Sequence, residues 1–184
     1  MDTTEAPRTA GSALGARVFG TDGIRGRAGT HPITPAAFYA LGRAFAAHLG
    51  AGATAPRVLI AQDGRWSGAG LEMALACGMQ SVGAKVTLLG VVPTSAVAYL
   101  TAHLGFDGGA MVTASHNAAS DNGVKFFSKT GMKLVSEDEG SIAAAAFIYT
   151  PETRVASSVE HRPVRNAVRR GGRRRAAVAR SVRP

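Results

Sequence analysis

Apolar residues recur along this chain with two different periods. Phe38, Leu41, Phe45 and Leu49 fall on one stripe at helical spacing. Thr34 before Pro35 supplies an N-cap and a first-turn proline, so the pattern predicts a helix over Pro35–Leu49. Leu71, Leu75 and Met79 predict a second helix, capped by Ser67 and running to about Val82, and a third runs from Pro93 to about Leu104. Between them lie short apolar runs of strand length: RVLIA (57–61), KVTLL (85–89), Gly109 to Thr113 and Gly123 to Phe127. Strands alternating with amphipathic helices imply an α/β layer around a largely parallel sheet. Ligands of such sheets sit beyond the carboxyl ends of the strands, where Asp63 and the run Thr113 to Asn117 both fall.

The remaining segments differ in kind. Residues 1–16 read as a flexible leader, with acidic residues near the start and no continuous apolar stretch of a secretory signal. Val18 and Phe19 lead into GTDGIRGRAG (20–29), whose four glycines predict a tight, irregular loop. Asp121, Asn122 and Gly123 read as a turn. Residues 1–150 balance 11 Lys+Arg against 10 Asp+Glu, whereas residues 151–184 hold 10 Arg against 2 Glu. The net charge of +9 therefore belongs to a low-complexity cationic tail. A hydrophobic content of 46% fits a globular domain, and no apolar run has the length of a membrane span. The single cysteine, Cys77, lies in an apolar helical stretch and is expected as a buried small hydrophobe in a reducing, cytoplasmic setting.

The chemistry concentrates in TASHN (113–117), which follows an apolar strand directly. Three readings compete: a polar strand-end turn, a hydrolase nucleophile, and a serine that carries a phosphoryl group. The G-x-S-x-G elbow is missing, and no aspartate is recognisably placed to orient His116. A phosphoserine would bring about −1.5 to −2 charges and needs cations nearby. Lys125, ten residues beyond Ser115 on the next strand, and Arg25, in the glycine-rich segment, are candidates. Each alone reads as a solvated surface charge; together with the serine they favour the phosphoryl carrier.

FGTDGIRG (19–26), VLIAQDGRWSG (58–68), LLGVVPTSAVAYL (88–100) and VTASHNAASDNGVKFF (112–127) resemble, in order and spacing, four motifs of the α-D-phosphohexomutases. The resemblance covers about residues 17–142 and corresponds to the first of that family's four domains. It implies a three-layer α/β/α sandwich with a mostly parallel mixed sheet over residues 17–146. It further implies that Ser115 is the phosphorylated serine, whose phosphate helps to bind Mg²⁺, supported by His116 and Asn117. Lys125 matches a lysine that assists proton transfer, and Arg25 matches an arginine facing the phosphoserine. Asp22 and Arg65 lie in matching motifs, with loop fixing and direct contact both open. The GTDGIRG and DNGVKFFS forms tilt the resemblance toward enzymes that move a phosphoryl group between O6 and O1 of a hexosamine phosphate through a hexosamine 1,6-bisphosphate. A phosphomannomutase or phosphoglucomutase domain is the alternative.

The chain departs from the family pattern at Ala118, which stands for a proline, at Gly64, which stands for a threonine, and at Ser95, which stands for a proline. The loss of a fixed φ at Ala118 is expected to loosen the serine loop. No DGDxDR-type run, the family's Mg²⁺ loop, occurs in the sequence, nor do the later sugar and phosphate loops. The chain is therefore expected to be inactive alone. The segment from about 147 to 184 reads as a disordered Arg-rich tail or a frameshifted continuation, able to bind nucleic acid only non-specifically. Oligomeric state is not legible.

Overall fold

Thr34 is extended (φ −127°, ψ 155°) and its side chain accepts the Ala37 N–H at 3.3 Å, so the helix α1, Pro35–Leu49, starts where the Thr-Pro pair predicts. In a computed structural model, residues 19–20, 23–50 and 55–147 are described. The chain divides into two units, 1–151 and 152–184, and every described element belongs to the first. The leader, Asp22 and the Arg-rich tail lie outside the described residues.

Helix α1 packs against α2, Gly68–Gln80, through glycine. A Cβ on Gly42 would stand 2.1 Å from the Leu75 carbonyl oxygen, and one on Gly78 would stand 2.0 Å from that of Tyr39. The two backbones therefore touch where side chains would hold them apart. Phe38, Leu41, Phe45, Leu71, Leu75 and Met79 fill the remaining space, all of them buried.

The sheet contains β1, Ile24–Arg27; β2, Arg57–Gln62; β3, Lys85–Val91; β4, Gly108–Val112; and β5, Asp121–Ser128, in the order β1-β5-β4-β2-β3. Pairing of β2 with β3 and with β4 is parallel, while β5 pairs antiparallel with β4 and β1. Four of the five strands thus run one way and only β5 is reversed. Alternation separates two buried faces. Val58, Ile60, Ala110, Val112, Val124 and Phe126 join α1, α2 and the helix α4, Ser136–Phe147, on one side. Ala61, Met111 and Phe127 join Val97 of α3, Thr94–His103, on the other. This is the expected three-layer α/β/α sandwich with a mostly parallel mixed sheet.

Several local expectations are corrected. The segment Ile24–Arg27, read as irregular loop, is a strand paired residue for residue with Val124 back to Asp121. Its glycines obscured the strand: Gly26 lies within it and Gly23 (φ 92°) sits under the Val124 carbonyl. Asp121, Asn122 and Gly123 belong to β5, and the chain turns earlier, where the Asp121 N–H reaches the Ala118 carbonyl at 2.9 Å. Ser67 forms no side-chain cap; its hydroxyl accepts the Asn122 side-chain amide at 2.8 Å. Cys77 is exposed. The buried stripe of α2 runs through Leu71, Leu75, Gly78 and Met79, and Cys77 lies off it. Among the described residues no helix is long and apolar enough to cross a membrane.

Candidate functional site at the serine loop

Because β2 and β4 are parallel neighbours, their carboxyl ends emerge side by side and carry Asp63 and Thr113 into contact. The Thr113 hydroxyl donates to the Asp63 carboxylate at 2.6 Å and accepts the Ser115 N–H at 2.9 Å. Ser115 itself is exposed, with φ at 54° in the left-handed region. A non-glycine residue there is strained, and only surrounding bonds hold it in place.

Those bonds converge on Arg65, whose side chain is 13% exposed. Its Nε donates to Asp63 at 3.0 Å, its Nη1 to the carbonyls of Ala118 and Asp121 at 2.6 and 2.9 Å, and its Nη2 to those of Ser115 and Asn117 at 2.8 and 3.0 Å. A guanidinium has five N–H donors, and all are used. Gly64, between Asp63 and Arg65, has φ 86°, a conformation for which glycine is better suited than the threonine usual in the family. It lets the two flanking side chains meet. The Asp63 carboxylate also accepts the Arg65 N–H at 3.2 Å.

The other residues singled out in the sequence take distinct places around this brace. His116 is exposed and lines, with Ser115, an open groove of about 600 Å³ walled by Thr113, Met111 and the segment Val91 to Thr94. The Asn117 side chain donates to the Asp121 carboxylate at 2.9 Å, making it part of the loop's own frame. Arg25 pairs with Gly123 across β1 and β5, and Lys125 pairs with Met111 across β5 and β4. Cross-strand partners share a face, so both cations lie on the face that Met111 and Thr113 continue into the serine loop. A Cβ on Gly123 would stand 2.8 Å from the Thr113 carbonyl and 3.1 Å from the Arg25 Cγ, so glycine keeps the arginine stem close to that loop.

Sequence reasoning missed a buried polar pair behind the site. Gln62, one residue before Asp63, donates to Glu72 at 3.1 Å. Glu72 is 6% exposed, its second oxygen has no hydrogen-bond partner, and burial raises its pKa, with the Gln62 bond opposing weakly. The folded state therefore holds this proton more tightly than the unfolded chain. The contribution is fully present below the ordinary carboxylate range and is lost as pH rises through the raised value. Glu72→Gln is expected to flatten that decline and to raise stability at neutral pH relative to wild type, checked by urea denaturation between pH 4 and 8.

The described residues contain no cluster of three His, Cys, Asp or Glu side chains that could hold a metal ion. Asp63, the carboxylate among the groove's lining residues, is committed to Arg65 and Thr113. These residues do not form a Mg²⁺ cage, which requires near-octahedral oxygen coordination.

An exposed serine on a braced loop beyond the strands of a three-layer α/β/α sandwich is the arrangement that the sequence resemblance implies for Ser115. The match to the family model "Phosphoglucomutase/phosphomannomutase, alpha/beta/alpha domain I" over residues 16–152 places the chain in that family. Within it, the chain is similar to the phosphoglucosamine mutases of Clostridium beijerinckii, 53% identical over 126 residues, and of Paracoccus denitrificans, 50% identical over 129. These matches cover 68% and 70% of this chain but only 28% and 29% of the relatives. Among solved structures, a phosphoglucomutase/phosphomannomutase family protein from Burkholderia thailandensis matches with TM-score 0.59 and 30% identity. That match covers 71% of this chain and 30% of the other.

Proposed function

We propose that Ser115 carries the phosphoryl group in the interconversion of glucosamine 6-phosphate and glucosamine 1-phosphate, a step toward cell-wall precursors. The observation that carries this reading is the strained, exposed Ser115, with both its backbone polar groups tied down beside an open groove. Phosphorylated Ser115 transfers its phosphoryl group to O1 of the sugar 6-phosphate, giving the 1,6-bisphosphate. The serine then takes back the group on O6, leaving the 1-phosphate. Such transfers depend on in-line positioning and charge neutralisation more than on covalent chemistry. Arg25 offsets the phosphate charge, Lys125 relays the proton of the attacking hydroxyl, and His116 and Asn117 support the phosphate loop. Mg²⁺, when bound, would supply further neutralisation, with the Ser115 phosphate as one oxygen donor and carboxylates from outside the described residues. The chain spans about 28% of the length of the phosphoglucosamine mutase it matches in Clostridium beijerinckii. The single cysteine fits a cytoplasmic setting.

The test is mass analysis after incubation with a hexosamine 1,6-bisphosphate and Mg²⁺, with a full-length phosphoglucosamine mutase present as phosphorylating partner. One phosphate mapped to Ser115 is the expected result; phosphate found only on other hydroxyls overturns the assignment. The ten arginines of residues 151–184 favour a second, non-specific activity. Salt-sensitive binding of any DNA should disappear when that segment is deleted.

A further inference from the structure

We propose that Arg65 is the positioning residue of the serine loop, holding Ser115 in its left-handed conformation through geometry rather than through charge. The structure supports each half of this statement. The four carbonyls that Arg65 binds belong to Ser115, Asn117, Ala118 and Asp121. Together they bracket the loop from its nucleophile to the first residue of β5. Ser115 is fixed from both sides, its carbonyl by Arg65 at 2.8 Å and its N–H by Thr113 at 2.9 Å. The second anchor leads to the same place, since Thr113 donates to Asp63 and Asp63 accepts the Arg65 Nε.

Charge is the weaker explanation. All five guanidinium donors are already bound, so none is left to reach a phosphate oxygen. The Asp63 carboxylate, paired with Arg65 at 3.0 Å, opposes the positive field that would reach a phosphate on Ser115. What cannot be replaced is the planar fork. An ammonium has three donors radiating from one point and cannot serve four carbonyls and a carboxylate in one plane.

Arg65→Lys, which retains the charge, therefore discriminates. The readout is amide exchange followed by NMR in the full chain, which does not depend on any phosphoryl chemistry. Exchange at Ser115 and Asn117 should rise by about tenfold or more while the amides of Val58 to Ala61 keep their rates. Arg65→Ala should show the same loss and recover part of it on addition of millimolar guanidinium, which lysine-like cations should not reproduce. Unchanged rates at Ser115 in Arg65→Lys, or an equal rise in loop and strand, overturn the proposal.

A second arm rests on the reading of Ser115 as phosphoryl carrier. Phosphate uptake at Ser115 should fall by about a hundredfold in Arg65→Lys, the scale of a misplaced reacting group. Uptake equal to wild type overturns the positioning role. Failure of the wild-type chain itself to take phosphate counts against the carrier assignment, and the exchange result then judges Arg65 alone.

Discussion

Glycine in place of Ser115 is expected to abolish phosphate uptake at that position and at the same time to make the chain more stable, by up to about 1 kcal/mol. The φ of 54° places an L-residue where Cβ crowds the carbonyl oxygen, at a cost of about 1–2 kcal/mol. Glycine removes that cost and adds back part of it through the greater freedom of the unfolded chain. Ser115→Ala separates the two effects, because it loses the hydroxyl but keeps Cβ. Its stability should stay within about 0.5 kcal/mol of wild type, and its uptake should be as low as that of the glycine variant. Urea midpoints with a common slope are the measurement. If glycine proves less stable than alanine at this position, Ser115 is not held in the left-handed region.

The layered fold was legible because two periods dominate the sequence. The stripe Phe38, Leu41, Phe45 and Leu49 sits on a helix with the expected ends. The apolar runs near residues 58, 86, 110 and 125 all became strands. β1 was not legible because its four residues carry a glycine and two arginines, and its pairing depends on a partner about 100 residues away. α4 was missed for a similar reason: its buried face is built from Ile142, Ala143, Ala146 and the buried Glu139, a thin signal with small side chains. Glu139 is instead accommodated by Lys133 at 2.8 Å.

For the site, the sequence singled out the serine loop and left loop fixing open as one role for Arg65, while the groups that this arginine binds were not readable. Arg65 lies 50 residues from Ser115 and acts on backbone carbonyls, which carry no residue-type signature. The same fact bears on Ala118. Its departure from proline is expected to loosen the loop, yet the group that Arg65 binds there is a carbonyl oxygen, which every residue supplies. The four-carbonyl brace thus gives the loop a source of rigidity independent of the ring that is missing.

Alanine in place of Phe126 is expected to cost about 3–5 kcal/mol, as for large aromatic truncations in well-packed cores. Phe126 is fully buried, stacks on Phe45 with centroids 4.2 Å apart, and meets Phe19 at 6.3 Å. It belongs to the face covered by α1, α2 and α4, so the cavity would open between layers where the backbone of β5 cannot collapse inward. Lys125, its neighbour on the same strand, points to the other face. Lys125→Ala should therefore change stability by no more than about 1 kcal/mol, yet slow phosphoryl transfer by about a hundredfold or more. Two adjacent substitutions should then separate cleanly, one read in the urea midpoint and the other in phosphate uptake at Ser115. A large stability loss for Lys125→Ala would mean that the lysine belongs to the structural frame of β5, and its assignment to proton transfer would lose its support. A loss below about 1 kcal/mol for Phe126→Ala would mean that the layer between α1 and the sheet relaxes into the vacated volume, contrary to what close-packed interiors permit.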